Sequence, residues 1–207
     1  MTERAVARAV PGRRGQVTRQ KLLDQLEVLL ATSSYRDLKV TDVTRRAGTS
    51  PATFYQYFPD VEAAVLAIAD EVADEGMQLH DLVAGRPWRG SAGYETASRL
   101  VDAMLETWSR HHAVLRVVEL RAAEGDQRFY ETRLRFLNSI TTALADVARA
   151  CGSQCEPMAV GGALVSMLAH VAAHQQGFES WQIPVSELRE TMTRLVYWGV
   201  TGRRPPR

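Results

Sequence analysis

At 207 residues the chain is long enough for one large domain or two small ones, and 45% hydrophobic and 24% charged residues are typical of a globular protein. No apolar run approaches the ~20 residues that a membrane-crossing helix needs, and no secretory signal is visible at the start. The two cysteines, Cys151 and Cys155, predict no disulfide framework, so a reducing cytoplasm is the expected location.

The formal net charge of +1 conceals an uneven distribution along the chain. Residues 1–50 contain ten basic and five acidic side chains and carry +5, which leaves −4 for residues 51–207. Four arginines lie within the first sixteen residues: Arg4, Arg8, Arg13 and Arg14. A basic segment of this kind favours contact with a polyanion, and the alternative is a merely solvated tail.

Hydrophobic periodicity predicts helices throughout and no strand of any length, so the expected fold class is all-α. The first helix is expected over residues 18–33, with Thr18 as its N-cap. Later helices are expected over residues 60–83, 94–109, 111–123, 126–151, 156–176 and 185–200.

Two short helices joined by a tight turn are expected between residues 39 and 58. A helix over 39–47 ends at Gly48, which has no Cβ and therefore turns sharply at little cost. Ser50 is a good N-cap for the next helix, and Pro51 suits its first position. This is the helix–turn–helix geometry, in which the second helix enters the major groove of DNA.

The second of these helices is expected to bury one face and expose the other. On a helical wheel the inward positions are Phe54, Phe58 and Pro51. The outward positions are Ala52 and Gln56, with Thr53, Tyr55 and Tyr57 beside them. Glutamine can bond adenine at two points, threonine and alanine can pack on a thymine methyl group, and phenols can reach phosphates. The pattern predicts DNA binding; the alternative is a structural helix pair with surface tyrosines.

The run LKVTDVTRRAGTSPATFYQYFPDVEAAVLAIADEV, residues 38–72, resembles the N-terminal domain of the TetR family of transcriptional repressors. The run ETWSRHHAVLRVVELRAAE, residues 106–124, is loosely similar to the actinobacterial branch that includes the ethionamide-activation repressor. The resemblance implies an N-terminal three-helix DNA-binding domain over 16–76 and a larger helical ligand-binding and dimerisation domain over 77–202. The whole is then expected to be a ligand-responsive repressor of a near-palindromic operator.

The resemblance also implies which side chains meet DNA. They are Lys39, Thr49, Ser50, Ala52, Thr53, Tyr55, Gln56 and Tyr57. The chain departs from the family's pattern at two phosphate-binding positions. Val61 stands where the family often has a lysine after the recognition helix, and Lys39 replaces the threonine that usually opens the second helix.

The helices after residue 94 carry many large apolar side chains, which are either ordinary core or, as the resemblance implies, the lining of a ligand cavity. The candidate ligand-binding residues are Met104, Trp108, Leu115, Glu119, Phe136, Asn138, Ile140, Met167, His170 and His174. The apolar lining predicts a lipophilic or aromatic effector that releases the protein from DNA.

The last two long helices have the composition of an interface. Residues 156–176 are rich in glycine and alanine, and residues 185–200 are expected to expose a stripe of Leu188, Met192, Leu195 and Trp198. Two such helices from each of two chains predict a homodimer with a four-helix interface. The alternative is packing of the same faces within one chain.

Catalytic and metal chemistry are not expected. His170 and His174, like Cys151 and Cys155, are four residues apart, but no third ligand is evident near either pair. The sequence has no nucleophile–base pair, phosphate loop or paired-carboxylate signal. We therefore expect no enzyme, metal or cofactor; a pure interaction module is the other alternative.

Overall fold

Every regular element between residues 12 and 206, the part of the chain that the computed structural model describes, is helical. The predicted all-α class is confirmed. The chain divides into two compact units, one ending at Ile68 and the other beginning at Ala69. No helix in the described part is long and apolar enough to cross a membrane.

The first unit contains three helices and the start of a fourth. They are α1 (Arg13–Thr32), α2 (Val40–Arg46), α3 (Pro51–Tyr57) and the beginning of α4 (Val61–Val83), with a short 3-10 turn at Tyr35–Asp37. The apolar side chains buried in this unit are Leu22, Leu23, Leu26, Leu30, Val43, Ala47, Phe54, Phe58, Ala64, Val65 and Ile68. Because these positions recur at helical spacing, α1, α2 and α3 pack on one another around a common core.

The predicted start of α1 was wrong. The helix begins at Arg13, and Thr18 lies inside it, where its hydroxyl donates to the carbonyl oxygen of Arg14 at 3.1 Å. Arginine and glutamine are strong helix formers, so the helix extends upstream of the threonine despite the lack of a side-chain cap at Gly12.

The second unit contains the rest of α4 and five further helices. These are α5 (Gly90–Ala123), α6 (Gln127–Ala150), α7 (Pro157–Ala173), α8 (Gln175–Glu179) and α9 (Val185–Thr201). Helices α5, α6, α7 and α9 each pack against the other three. Their shared core includes Val114, Leu144, Leu168 and Val196, which are fully buried.

Helix α5 joins two segments that the sequence predicted as separate helices over 94–109 and 111–123. The backbone departs from helical geometry at His111, with φ −111° and ψ 18°, and then resumes the helix. Neither glycine nor proline lies between residues 109 and 111, so the chain bends without ending the helix. The His111 Nε2 lies 3.2 Å from Glu75 Oε2 on α4.

Two expectations for the last helices were wrong. Helix α7 ends at Ala173 instead of continuing to residue 176, because His174 leaves the helical region at φ −121°. On α9, Leu188 and Met192 are 7% and 1% exposed, so they belong to the core and not to a surface stripe. Leu195 and Trp198 remain on the surface.

The start of α9 is tied to α5 by polar contacts. The guanidinium of Arg189 pairs with Asp102 and donates to Ser98 Oγ at 3.0 Å. The Tyr94 hydroxyl donates to Glu190 at 2.8 Å. Burial, followed by this hydrogen bond to a carboxylate, raises the pKa of Tyr94 to about 12, so the phenol keeps its proton and the contact persists at physiological pH.

Asp126 caps α6 and supplies a test of this packing. Its Oδ1 accepts from the Arg128 backbone N–H at 3.0 Å, and the hydrogen bond from the Arg128 side chain holds its pKa at about 2, below the usual 3.8. We expect Asp126→Ala to lower the free energy of unfolding by ~0.5–2 kcal/mol, the usual cost of losing an N-cap. Thermal unfolding followed by tryptophan fluorescence measures this, since all four tryptophans lie in the second unit.

Asp126→Asn is the matched control, because asparagine also caps but carries no charge. Since the folded pKa lies below the unfolded one, the carboxylate stabilises the fold above about pH 4, and this stabilisation is lost as the pH falls towards about 2. The difference between wild type and Asp126→Asn should shrink over that range. Equal stability of wild type and Asp126→Ala at neutral pH would contradict the capping role.

Candidate DNA-binding surface and effector site

The turn between α2 and α3 is closed by backbone hydrogen bonds. Gly48 has φ +60°, in the left-handed region that favours glycine. The N–H of Ala47 donates to the carbonyl oxygen of Val43, and that of Thr49 to the carbonyl oxygen of Thr44, both at 2.9 Å. These bonds end α2 and direct the chain into α3 within four residues.

Ser50 caps α3 as the sequence predicts. Its Oγ accepts from the backbone N–H of Thr53 at 3.2 Å and lies 3.0 Å from the Thr53 hydroxyl. A hydroxyl has one donor and two acceptor positions. The pair therefore fixes the first turn of α3 and still keeps hydrogen-bonding capacity for an outside partner.

The inward face of α3 is aromatic. Phe54 and Phe58 are 0% and 4% exposed, with ring centroids 5.5 Å apart. The Arg19 guanidinium of α1 lies 5.4 Å from the Phe58 ring centroid. Pro51, which the helical wheel placed inward, is exposed instead, because the first turn of α3 extends past the core.

The outward face of α3 carries small and hydrogen-bonding side chains. Ala52, Tyr55 and Gln56 are exposed, and Thr53 and Tyr57 are half-buried beside them. Tyr55 and the exposed Lys39 at the start of α2 line the same shallow depression. The structure thus places most of the predicted DNA-contact residues on one face. Thr49 and Ser50 lie at its edge, where the turn enters α3.

The arginines of the first unit differ in their contacts. Arg45 pairs with Asp42 at 2.6 Å, and the Arg46 Nε donates to Gln25 at 3.2 Å. Arg13 and Arg14 are exposed in the first turn of α1. Arg4 and Arg8 lie outside the described residues. At the family's usual lysine position, Val61 begins α4 and Asp60 caps it, accepting from the Ala63 N–H at 2.7 Å.

The second unit contains two neighbouring cavities that meet at the middle of α5. The open groove, of about 670 Å³, is lined by Trp108, Ser109, His112, Arg116, Glu119, Ala172, Ala173, His174, Gln175 and Val185. The core cavity, of about 10 Å³, is lined by Ala69, Ala73, Trp108, Leu115, Val118, Glu119, Thr132, Arg133 and Phe136. Trp108 and Glu119 line both.

The predicted ligand residues separate into three groups. Trp108, Leu115, Glu119, Phe136 and His174 line the groove, the core cavity or both. Met104 and Ile140 are fully buried and line neither. Asn138, Met167 and His170 also line neither; His170 is exposed and its ring stacks on His174 at 4.3 Å between centroids.

Pattern reasoning missed the polar wall of the groove. His112 and Arg116 follow Trp108 at intervals of four residues on α5, and this spacing puts all three on one helix face. The spacing was visible in the sequence. Arg133, whose Nε donates to Glu119 at 2.8 Å, lies on another helix and had no such signal.

The other candidate metal and redox groups are dispersed. Among residues 12–206, no three histidine, cysteine, aspartate or glutamate side chains form a metal-binding group. Cys151 is half-buried and Cys155 is exposed, both as free thiols.

A glycine turn, a capped helix with a polar outward face and a basic residue beside it define a DNA-binding protein of the helix–turn–helix class. Two family models match the chain. Residues 22–68 match the model for bacterial regulatory proteins of the tetR family, and residues 79–207 match a tetracyclin repressor-like C-terminal domain. The chain belongs to the TetR family of transcriptional regulators, and the predicted resemblance is confirmed.

Similar proteins include regulators from two other bacterial groups. An uncharacterized HTH-type transcriptional regulator of Haemophilus influenzae is 31% identical over 116 residues, 56% of this chain and 55% of that protein. The HTH-type transcriptional regulator EthR of Mycobacterium tuberculosis is 29% identical over 135 residues, 64% of this chain and 62% of EthR. The chain thus spans between about half and two thirds of the length of these curated relatives.

Solved structures share the fold at low identity. The fatty acid degradation regulator FadR from Bacillus halodurans superposes with a TM-score of 0.69 at 14% identity, over 91% of this chain and 97% of FadR. A transcriptional regulator from Rhodococcus gives 0.70 at 19% identity, over 89% of this chain and 96% of that one. A tetR-family regulator from Streptomyces coelicolor gives 0.69 at 16%, over 90% and 82% respectively.

The turn at Gly48 can be tested by substitution. A Cβ there would meet only the Lys21 Nζ, at 3.8 Å, so the cost of Gly48→Ala is conformational. We expect it to lower the free energy of unfolding of the first unit by ~1–2 kcal/mol, the penalty of the left-handed region for an L-residue. Urea unfolding followed by far-ultraviolet circular dichroism measures it.

Gly48→Asn is the control for this test, because asparagine enters the left-handed region more readily than alanine. It should cost less than Gly48→Ala. If both substitutions leave stability unchanged, the turn does not require a positive φ.

Proposed function

We propose that the protein is a ligand-responsive repressor that binds a near-palindromic operator as a homodimer and is released by an amphipathic or apolar small molecule. Family membership supports DNA binding and transcriptional regulation. The observation that carries the finer proposal is the division of α3 into a buried aromatic face and an exposed face of Ala52, Tyr55 and Gln56. The first unit then reads DNA, and the second senses and dimerises.

Within this proposal the exposed side chains of α3 have separate roles. Gln56 reads a base edge, because its amide can donate and accept at adenine, and Ala52 packs on a thymine methyl group. Lys39, Ser50, Tyr55 and Tyr57 hold phosphates, while Thr49 and Thr53 lie at the margin of both sets. Contacts to phosphate position the protein, and contacts to base edges specify the sequence.

Base readout is tested with Gln56→Ala. We expect a loss of ~1–3 kcal/mol of discrimination at one or two base pairs, which is typical for a bidentate contact. The DNA is selected from genomic fragments by the wild-type protein, and fluorescence anisotropy on single-base variants of that sequence gives the discrimination. Gln154→Ala, at an exposed glutamine of the second unit, is the control and should leave it unchanged. An equal loss on selected and random DNA for Gln56→Ala would sink the reading role.

The dimer is proposed to form through α7 and α9. Leu195 and Trp198 are 39% and 58% exposed on α9, and Met158 is 44% exposed on α7. Gly162 of α7 faces open space, with no heavy atom within 4 Å of the place where a Cβ would lie. Large apolar side chains beside small residues favour close approach of another helix, and a two-fold pairing would bury all of them.

Trp198→Glu tests this interface. The charge should prevent burial of α9, so sedimentation should show monomers, and operator affinity should fall by roughly tenfold or more because one half-site alone is held. Trp181→Glu is the control: Trp181 is 70% exposed but lies in the segment between α8 and α9. If Trp198→Glu remains dimeric, the interface lies elsewhere.

The effector is proposed to bind in the second unit near Trp108, Leu115 and Phe136, which line the core cavity, and Glu119 and His174, which face the groove. The remaining candidates Met104, Asn138, Ile140, Met167 and His170 are proposed only as surrounding support. Apolar walls with a few convergent polar groups are typical of small-molecule sites.

A further inference from the structure

A single indole ring stands between the open groove and the core cavity. Trp108 is 4% exposed, lines both spaces, and packs on Phe136 with ring centroids 5.6 Å apart and planes inclined by 59°. The core cavity of about 10 Å³ has room for little more than one water molecule. An apolar guest can therefore enter this region only if an aromatic ring leaves its place.

The helix that carries Trp108 bends one turn further along. The non-helical residue His111 interrupts the regular geometry of α5 three residues after the indole. A helix bends most readily where its hydrogen-bond ladder is already disturbed. The bend gives Trp108 a local route of movement that does not require the rest of α5 to shift.

From this arrangement we infer that the open groove and the core cavity are the two ends of one effector site, with Trp108 as its gate. The inference rests on the proposed ligand response and specifies its chemistry. The ligand is amphipathic: its apolar chain takes the space of the indole against Leu115 and Phe136, and its polar head stays in the groove.

The charges around the groove select the head group. Arg116 lies in the groove wall, and Glu119 is held by Arg133 at 2.8 Å, so two guanidinium groups accompany one carboxylate. His112 and His174 add hydrogen-bonding positions on two other sides. This balance favours a carboxylate head over an ammonium head on the same chain.

Movement of the gate reaches α4 through a contact with no spare room. Gly76 of α4 lies directly on the Phe136 ring: a Cβ at Gly76 would be 2.6 Å from Phe136 Cε2 and closer still to Cδ2. The adjacent Glu75 contacts His111 at the bend of α5. Any shift of Phe136 towards α4 must therefore displace the α4 backbone, and α4 is the helix that begins in the first unit.

The gate is tested with decanoate and decylammonium as probes below their micelle concentrations. Calorimetry on the full chain should show decanoate binding roughly tenfold or more tightly than decylammonium, and decanoate should weaken binding to the selected DNA by roughly 5- to 150-fold. Trp108→Ala should still bind decanoate but lose most of this weakening, because the guest no longer has to displace a ring. Trp108→Phe, a milder change, should bind decanoate and retain an intermediate response.

The outcomes separate the inference from the function on which it rests. If decanoate binds and both Trp108 variants release DNA as wild type does, the gate is overturned while the ligand-responsive function stands. Loss of all decanoate binding in both variants makes Trp108 a contact and not a gate. If decylammonium binds as tightly as decanoate, the head-group assignment is wrong. Failure of wild type to bind either probe overturns the amphipathic class, whereas failure to bind any DNA overturns the proposed function itself.

The transmission step is tested without any ligand. Gly76→Ala should mimic the bound state by pressing on Phe136, and should weaken DNA binding by roughly tenfold. Adding Phe136→Leu should restore it, because the smaller side chain makes room for the methyl group. Gly177→Ala is the matched control, since a Cβ there meets no heavy atom within 4 Å. Wild-type affinity in Gly76→Ala, or no recovery in the double variant, overturns this route.

Discussion

The burial of Phe54 and Phe58 is the interaction on which the function of the first unit depends. A seven-residue helix is too short to be stable alone, since nucleation costs more than a few hydrogen bonds return. The two rings attach α3 to the leucines of α1 and to Val43 of α2. Once they are buried, the 100° turn per residue leaves Ala52, Tyr55 and Gln56 facing water. The aromatic density that looks like ordinary core is therefore what presents the polar face.

Close packing has a related consequence in the second unit, where glycines set the distance between helices. Gly161 lets α7 approach the backbone of α6: a Cβ there would lie 3.2 Å from the Ala145 nitrogen. Gly76 does the same between α4 and the Phe136 ring. Packed interiors transmit displacement because they have few voids to absorb it. A sensor built on such contacts needs only a small movement of a ring to move a helix.

Much of this organisation could be predicted from local sequence. The turn at Gly48, the Ser50 cap and the burial of Phe54 follow from backbone freedom, hydrogen bonding and helical periodicity, all of which act within a few residues. The start of α1 could not be read in the same way, because Thr18 resembles a cap wherever it stands. The bend at His111 was taken for a break for a similar reason: no glycine or proline marks it.

The effector site was less accessible to sequence reasoning because it depends on which helices meet. Periodicity shows that Met104, Trp108 and Phe136 are apolar, but only the fold shows that Trp108 adjoins two cavities while Met104 is enclosed. The same holds for α9, where Leu188 and Met192 are buried and Trp198 is exposed. One stripe on a helical wheel became two faces once α5 packed against it.

The central claim is that the outward face of α3 meets DNA, and site-specific photo-crosslinking tests it most directly. A benzophenone amino acid is placed at Tyr55 or, as a control of similar exposure, at Tyr130 of α6, which are 51% and 43% exposed. Each protein is irradiated with the genomic fragments that the wild type selects. The account predicts a crosslink to those fragments from position 55 and none from position 130. Absence of a crosslink at 55 in a protein that still binds the fragments would contradict it.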